Sequence, residues 1–396
     1  MGKWVALSVL LIIVLILIAN KDAVMNMLEG GTQYREYPES LEYEVTRSVT
    51  MTGSNYRLGT MRIPVPDDII TLGGTYIQEI HSSEHMEPSS VQFSETDESQ
   101  MWGADSNRTR TWWEWTQPND ASGLTIIEKT HHVTSKTVRW TLDETKTGSV
   151  SDITSSNDQT VSNLRDKYLG EEWKVDPLDP LIVDTAADIR EGTNGNVYNI
   201  VKNTYRFLDQ EFTYETGVQM EPKDPVDTLQ SRKGDCDDQS ILMASILRAC
   251  GIPAWLEIGG LYDRNANGGQ GSWGGHAWLK VWIPMLDDNG FFDPDISGTV
   301  DIDVVNDEFL FRSCYRYAEW ESDGNGDHLQ DYYLFVSYYG AAQITVDWDS
   351  NIIASEGSER YLTTDGEVAV PGFEAVAAVA SLLVVALAFR RRRKDF

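Results

Sequence analysis

The chain has 396 residues, of which 41% are hydrophobic and 10% aromatic, including 13 Trp; it is long enough for two domains and too apolar for a disordered protein. Its 62 Asp and Glu against 32 Lys and Arg leave a net charge of −30, which excludes a nucleic-acid partner, since phosphate binding needs cationic neutralisation. Three cysteines cannot form a disulfide framework, and at least one of them is unpaired within the chain.

Lys3 precedes an uncharged run from Trp4 to Asn20, a charged n-region followed by an h-region of export length. No clear Ala-x-Ala signature marks a cut, so residues 1–23 read as a signal peptide or as an N-terminal anchor. From residue 35 to 146 the chain shows short period-2 stretches separated by turn residues, among them LEYEVTRSV, TRTWWEW and GLTIIEKTHHV, which predict an all-β sandwich. His81 and His85 fall in a Ser-rich stretch that reads as a solvated loop rather than a metal pair. His131 and His132 are adjacent and would face opposite sides of a strand, both structural. Asn107-Arg108-Thr109 is a glycosylation sequon. Residues 147–164, rich in Ser, Thr, Asp and Asn, read as a linker.

Beyond it, in residues 165–345, the period changes. Val197, Ile200, Val201, Tyr205 and Leu208 recur at helical spacing. A second helix begins at GDCDDQS, with Asp235 as N-cap, Cys236 at the first helical position, and Gly251 and Pro253 as the stop. The stretches AWLEIGG, HAWLKVWI and GFFD are strand-like, so the domain is α+β. A cysteine at a helix N-terminus has its thiolate favoured by the macrodipole and by free N–H groups, and its backbone N–H is a first oxyanion donor. Alternation puts His276, Trp278 and Lys280 on one strand face and Ala277, Leu279 and Val281 on the other. Asp293 in GFFDP is the candidate carboxylate to orient His276, completing a nucleophile, base and orienter.

The other features read more plainly. Cys250 lies about 21 Å along the helix from Cys236 and reads as core; Cys314 is free or paired with Cys250. Asp263, Asn265 and Asn267 fit the opening of a calcium loop, but Gly274 stands where the closing Glu belongs. Asp323, Asn325 and Asp327 alternate oxygen ligands without the rest of the motif. Both loops read first as polar and Gly-rich, with calcium the alternative; no cofactor is required. The stretch Asn265–Gly275 is expected to rim the cleft beside His276.

Residues 346–370 read as a last strand and linker. Then come Pro371-Gly372-Phe373, an apolar run from Ala375 to Phe389 and the basic cluster Arg390–Lys394. The run is about 22 Å long as a helix, short of a ~30 Å hydrocarbon core, and the positive-inside rule puts everything before Pro371 outside the cell.

Two resemblances follow from these motifs. RKGDCDDQSILMASILRACGIPA, GGHAWLKVWI and GFFDPD resemble the three motifs of the transglutaminase-like superfamily, a papain-like cysteine enzyme fold, with Cys236, His276 and Asp293 on its Cys, His and Asp in the same chain order. The resemblance implies attack on a protein or peptide amide through a thioester, resolved by water in a peptidase or amidase and by an amine in a crosslinking transamidase. The superfamily also holds inactive members, so a non-catalytic adhesion or binding module at the cell surface is the reading of another class. The tail of residues 371–396 resembles the archaeal PGF-type sorting signal, which implies an archaeosortase-like processing enzyme, a lipid or membrane anchor and a place on the outer face of an archaeal cell membrane.

Overall fold

The strand beginning near Leu41 continues through a register shift at Ser54–Tyr56 into the next stretch, so two expected strands are one strand of 25 residues, β1 (Ser40–Pro64), with Leu41, Tyr43, Val45, Val49 and Met51 buried on one face. The structure, a computed structural model, describes residues 34–362 apart from 72–74, 103–104, 217–220, 265 and 267–270. After β1 come β2 (Tyr76–Met86), β3 (Gln92–Trp102), β4 (Asp105–Thr116) and β5 (Ala121–Lys136). Next are the helices α1 (Val150–Thr154), α2 (Gln159–Tyr168), α3 (Pro180–Arg190), α4 (Val197–Glu211), α5 (Pro225–Ser231) and α6 (Cys236–Ala249). Then follow β6 (Ala254–Asp263), β7 (Ser272–Leu286), β8 (Phe292–Asp303), β9 (Glu308–Phe309), β10 (Arg316–Glu321), α7 (Gly326–Tyr333) and β11 (Val336–Glu356).

The expected sandwich is instead one seven-stranded antiparallel sheet. The reason is the length of β1: it pairs β5 from Ser40 to Tyr56 and β4 from Met61 to Pro64, while β11 runs along its other edge from Met61 back to Ser40. One strand thus carries both regions, and Val49, Met51 and Ile127 pack with Trp113 and Trp115. His81 and His85 lie on β2, not in a loop.

The expected linker is also corrected. Residues 147–164 hold α1 and the start of α2, and Val150, Ile153, Val161 and Leu164 are buried in the core of the α+β half. Their polar neighbours are caps: Asp158 accepts from Val161 N at 3.1 Å, and Asp152 accepts from Ser149 N at 2.7 Å. The strand expected from residue 346 begins at Val336 and belongs to the N-terminal sheet.

In the α+β half the helices pack on a five-stranded sheet of order β9-β8-β7-β6-β10. α6 is buried along nearly its whole length, with Ala277, Leu279 and Val281 of β7 in the same core, and Ser240 Oγ donates to Ala277 O at 3.3 Å. The opposite face of this sheet meets the all-β half: Trp278 and Ala318 pack with Ile69 and Ile77. Beside them Arg47 holds Glu319 at 2.6 Å, Lys129 pairs with the same carboxylate, and Tyr332 OH donates to it at 2.8 Å. Residues Tyr37–Glu359 accordingly form one unit.

Candidate active site

Cys236 opens α6, and the first turn is tied down by Asp238, whose carboxylate accepts from the N–H of Asp235 at 3.4 Å and of Lys223 at 2.7 Å. The chain entering the helix passes so close that a Cβ on Gly234 would sit 2.6 Å from Asp238 Cβ, which requires glycine there. Gly251, at φ +86, and Pro253 end the helix as expected.

His276 is buried on β7, on the face shared with Trp278, whose indole stacks on the imidazole at 5.7 Å and 23°. Its Nε2 lies 2.7 Å from Asp303 Oδ2, and Asn306 Nδ2 donates to the same carboxylate oxygen at 2.8 Å. The Cys236 side chain is a hydrogen-bonding neighbour of the same ring.

Asp293 therefore does not orient His276. The hairpin β7–β8 turns later than the GFFDP motif suggests: Asp293 pairs with Met285, nine residues from His276, or about 30 Å along the strand. Its Oδ1 accepts from Asp295 N at 2.9 Å. Leu279 pairs with Ile302, which brings Asp303 opposite Trp278 and next to His276. The signal was present in TVDID, where Val300 and Ile302 alternate with Asp301 and Asp303, but it was weaker than the motif.

Burial alone would lower the pKa of His276, yet the charges of Asp303 and Cys236 and their hydrogen bonds raise it to about 10. Burial opposes ionisation of Asp303 as well, but His276 and Arg316 hold its carboxyl below the usual range. Next to Cys236, Asp237 is pushed up to about 8 by burial and by the neighbouring Asp235 and Asp238, a second proton-carrying group that sequence reading missed. A cleft of about 930 Å³ adjoins these residues, lined by Glu215, Glu221, Asp227, Asp235, Asp237 and Asp238, with Lys223 the one cation of its lining among the described residues. The Lys223 ammonium is already 3.0 Å from Asp238.

The remaining candidates are placed as follows. In the second proposed calcium loop, Asp323 Oδ1 accepts from Asn325 N at 3.1 Å, its Oδ2 lies 2.9 Å from His328 Nδ1, and Asn325 Oδ1 accepts from Asp327 N at 3.0 Å. These oxygens build the cap of α7. Asp263 ends β6, and Asn265 and Asn267 lie outside the described residues, as do residues 268–270 of the expected rim. The carboxylates of Asp235, Asp237 and Asp238 come within 4.8 Å of one another. Cys250 and Cys314 are buried free thiols in separate clusters, so the Cys250–Cys314 bond is not formed. His131 is buried, 2.8 Å from Ser83 Oγ, and His132 faces Glu44 at 3.2 Å, on opposite sides of β5 as alternation requires. Asn107 lies on β4. Residues 1–23, Pro371, Gly372, Phe373 and the tail to 396 lie outside the described residues, among which no helix is long and apolar enough to cross a membrane.

Parts of the chain are similar to known proteins. Residues 183–296 match the transglutaminase-like superfamily and residues 370–392 match the PGF-CTERM motif. The chain thus carries a transglutaminase-like domain, with Cys236 and His276 inside the matched residues and Asp303 just beyond them, and a C-terminal motif of surface-anchored, secreted proteins of archaeal type. A candidate cysteine protease from Cytophaga hutchinsonii is similar in structure at 14% identity and TM-score 0.52, over 83% of this chain and 100% of that one. The periplasmic domain of TgpA from Pseudomonas aeruginosa is similar at 17% identity and TM-score 0.31, over 69% of this chain and 93% of that one. No curated protein matches the chain.

Proposed function

We propose that this protein is a surface-anchored cysteine hydrolase acting on peptide amides, with Cys236 as nucleophile, His276 as acid and base, and Asp303 as orienter. The single observation carrying this reading is His276 held between the Cys236 thiol and the Asp303 carboxylate, 2.7 Å from the latter. Cys236 Sγ attacks the amide carbon; the C–N bond breaks as the His276 imidazolium passes its proton to the leaving amine, and the acyl group stays on sulfur as a thioester. Neutral His276 then takes a proton from water, which attacks the thioester and releases a carboxylic acid and the Cys236 thiolate, with His276 again an imidazolium.

The polar lining of the adjoining cleft supports water as the acceptor, and its six carboxylates support a peptide that presents Lys or Arg side chains beside the scissile bond. The test runs two assays in parallel on the purified protein: release of new amino termini from Lys-rich and Glu-rich peptides of one length, at ~0.1 M and ~1 M salt, and incorporation of a labelled primary amine into the same peptides. Hydrolysis with a preference for Lys-rich peptides that persists at high salt, where the Debye length is ~3 Å, is expected from direct contact. Amine incorporation exceeding hydrolysis would make the protein a transamidase, and absence of both reactions would leave a binding module.

A further inference from the structure

Behind the His276–Asp303 pair lies a fully buried guanidinium. Arg316, at the start of β10, brings Nη2 within 3.0 Å of Asp303 Oδ2 and pairs through the same nitrogen with Glu308. Its Nε and Nη1 make no hydrogen bond among the described residues, so here Arg316 acts as a positioned charge and not as a two-pronged fork. The guanidinium also lies over Trp278 at 5.2 Å, and Trp278 stacks on His276. Arg316 therefore touches the environment of both partners. Its own carbonyl accepts from Tyr43 OH at 3.1 Å and Ser135 Oγ at 2.9 Å, which anchors it to the all-β half.

A buried charge is tolerated when it is balanced. Asp303 and Glu308 bring two negative charges and Arg316 one positive, so this group is neutral when His276 is protonated. The neighbouring charges are paired among themselves: Arg312 holds Asp301 and Glu257 at 2.9 Å each, and Lys280 pairs with Glu321. The groups facing Asp303 are thus His276 and Arg316, with Cys236 beyond the imidazole and Glu308 beyond the guanidinium. Removing the positive charge should favour the imidazolium and disfavour a thiolate beside it; removing Glu308 should do the reverse.

We propose that Arg316 is a positioning residue of this cysteine site, opposed by Glu308, and that the two together set the pH range in which Cys236 is reactive. This rests on the reading of Cys236, His276 and Asp303 as the reactive group, and its test does not need turnover. In the full-length protein, the rate of Cys236 alkylation by iodoacetamide is followed across pH by peptide mass mapping, beside a peptide-hydrolysis assay of the wild type. Arg316→Gln is expected to move the alkylation midpoint up by about one pH unit and Glu308→Gln to move it down by about as much. Arg316→Lys, which keeps the charge, is expected to hold the midpoint near that of the wild type.

Midpoints unmoved by either charge change, or moved in the same direction by both, would overturn the proposal. Should Arg316→Gln fail to fold, the downward shift in Glu308→Gln and the unmoved Arg316→Lys decide alone. Shifted midpoints in a wild type without hydrolysis would defeat the hydrolase reading and leave this inference standing; hydrolysis with fixed midpoints would do the opposite.

Discussion

His276 Nε2 and Asp303 Oδ2 lie 2.7 Å apart across adjacent antiparallel strands, both buried, so the carboxylate that meets His276 stands ten residues along β8 from Asp293. Asp303→Asn should keep the shape of the pair but present the wrong hydrogen-bonding group to the imidazole, and kcat/KM is expected to fall by about 10³-fold or more. Asp293→Asn is expected to change it by about twofold or less, as for a surface substitution, and Cys236→Ala and His276→Ala should each abolish turnover. An Asp293→Asn variant as damaged as Asp303→Asn would return the role to the earlier residue.

Much of this site was legible before any coordinates. Asp235 and Gly251 punctuate α6, so Cys236 at its first turn followed from capping chemistry alone, and the alternation of HAWLKVWI separated His276 and Trp278 from Ala277 and Leu279 correctly. Asp303 was not legible because a strand's register depends on where its hairpin turns, and DDNG could close the turn in more than one place. The single sheet in place of a sandwich has a similar cause: period 2 reveals strands but not that β1 continues through Gly53 and Asn55. Ser and Asp in residues 147–164 signal a loop or a helix cap equally well, and the difference is decided by Ile153 and Leu164 finding a core. Arg316 gave no signal, since its role arises from three strands meeting.

The pH dependence follows from His276. Its pKa in the folded protein is about 10 against an ordinary 6.5, so the imidazolium, the proposed proton donor to the leaving amine, persists far above neutrality. Activity is expected to fall as pH rises through about 10, and Asp303→Asn should move that alkaline limb downward. Because the folded value is the raised one, the stability contributed by protonated His276 is fully present below about 6.5 and is lost as pH rises from there through about 10. A kcat/KM profile and melting temperatures across the same range check both statements, and a limb near 6.5 in the wild type would refute the first.

His131 gives the opposite sign. Burial, then the charges of Lys129 and His132, push its pKa down to about 3 in spite of Glu319, so the folded protein holds it neutral, stacked at 5.6 Å on Trp113. The stability that this provides is present above about 6.5 and is lost as pH falls toward 3, because the unfolded chain takes up the proton first. His131→Gln is expected to be less stable than wild type near neutrality, by about 1–3 kcal/mol for the disturbed buried contacts, yet to lose less stability between pH 6.5 and 4. Denaturant melts at several pH values measure this, and parallel curves for the two proteins would show that His131 does not titrate as stated.

The C-terminus makes a claim of a different kind. Pro371-Gly372-Phe373 stands within the matched PGF-CTERM residues 370–392, just before the apolar run Ala375–Phe389, which as a helix would extend only about 22 Å, short of a ~30 Å hydrocarbon core, and the basic cluster Arg390–Lys394 follows. A segment that need only hold the chain in the membrane until it is cut can be this short, and the charge cluster stops it from passing through. Mature protein recovered from native membranes is therefore expected to end near Pro371 and to carry a lipid. Replacement of Pro371, Gly372 and Phe373 by alanine should make uncut precursor accumulate, because the apolar run and basic cluster still arrest it while the processing enzyme no longer finds its triplet. An ordinary anchor would tolerate the same change, since Ala375–Phe389 is untouched. Intact mass and C-terminal peptide mapping separate the two, and recovery of Lys394-Asp395-Phe396 from the mature surface fraction would show that the tail is kept.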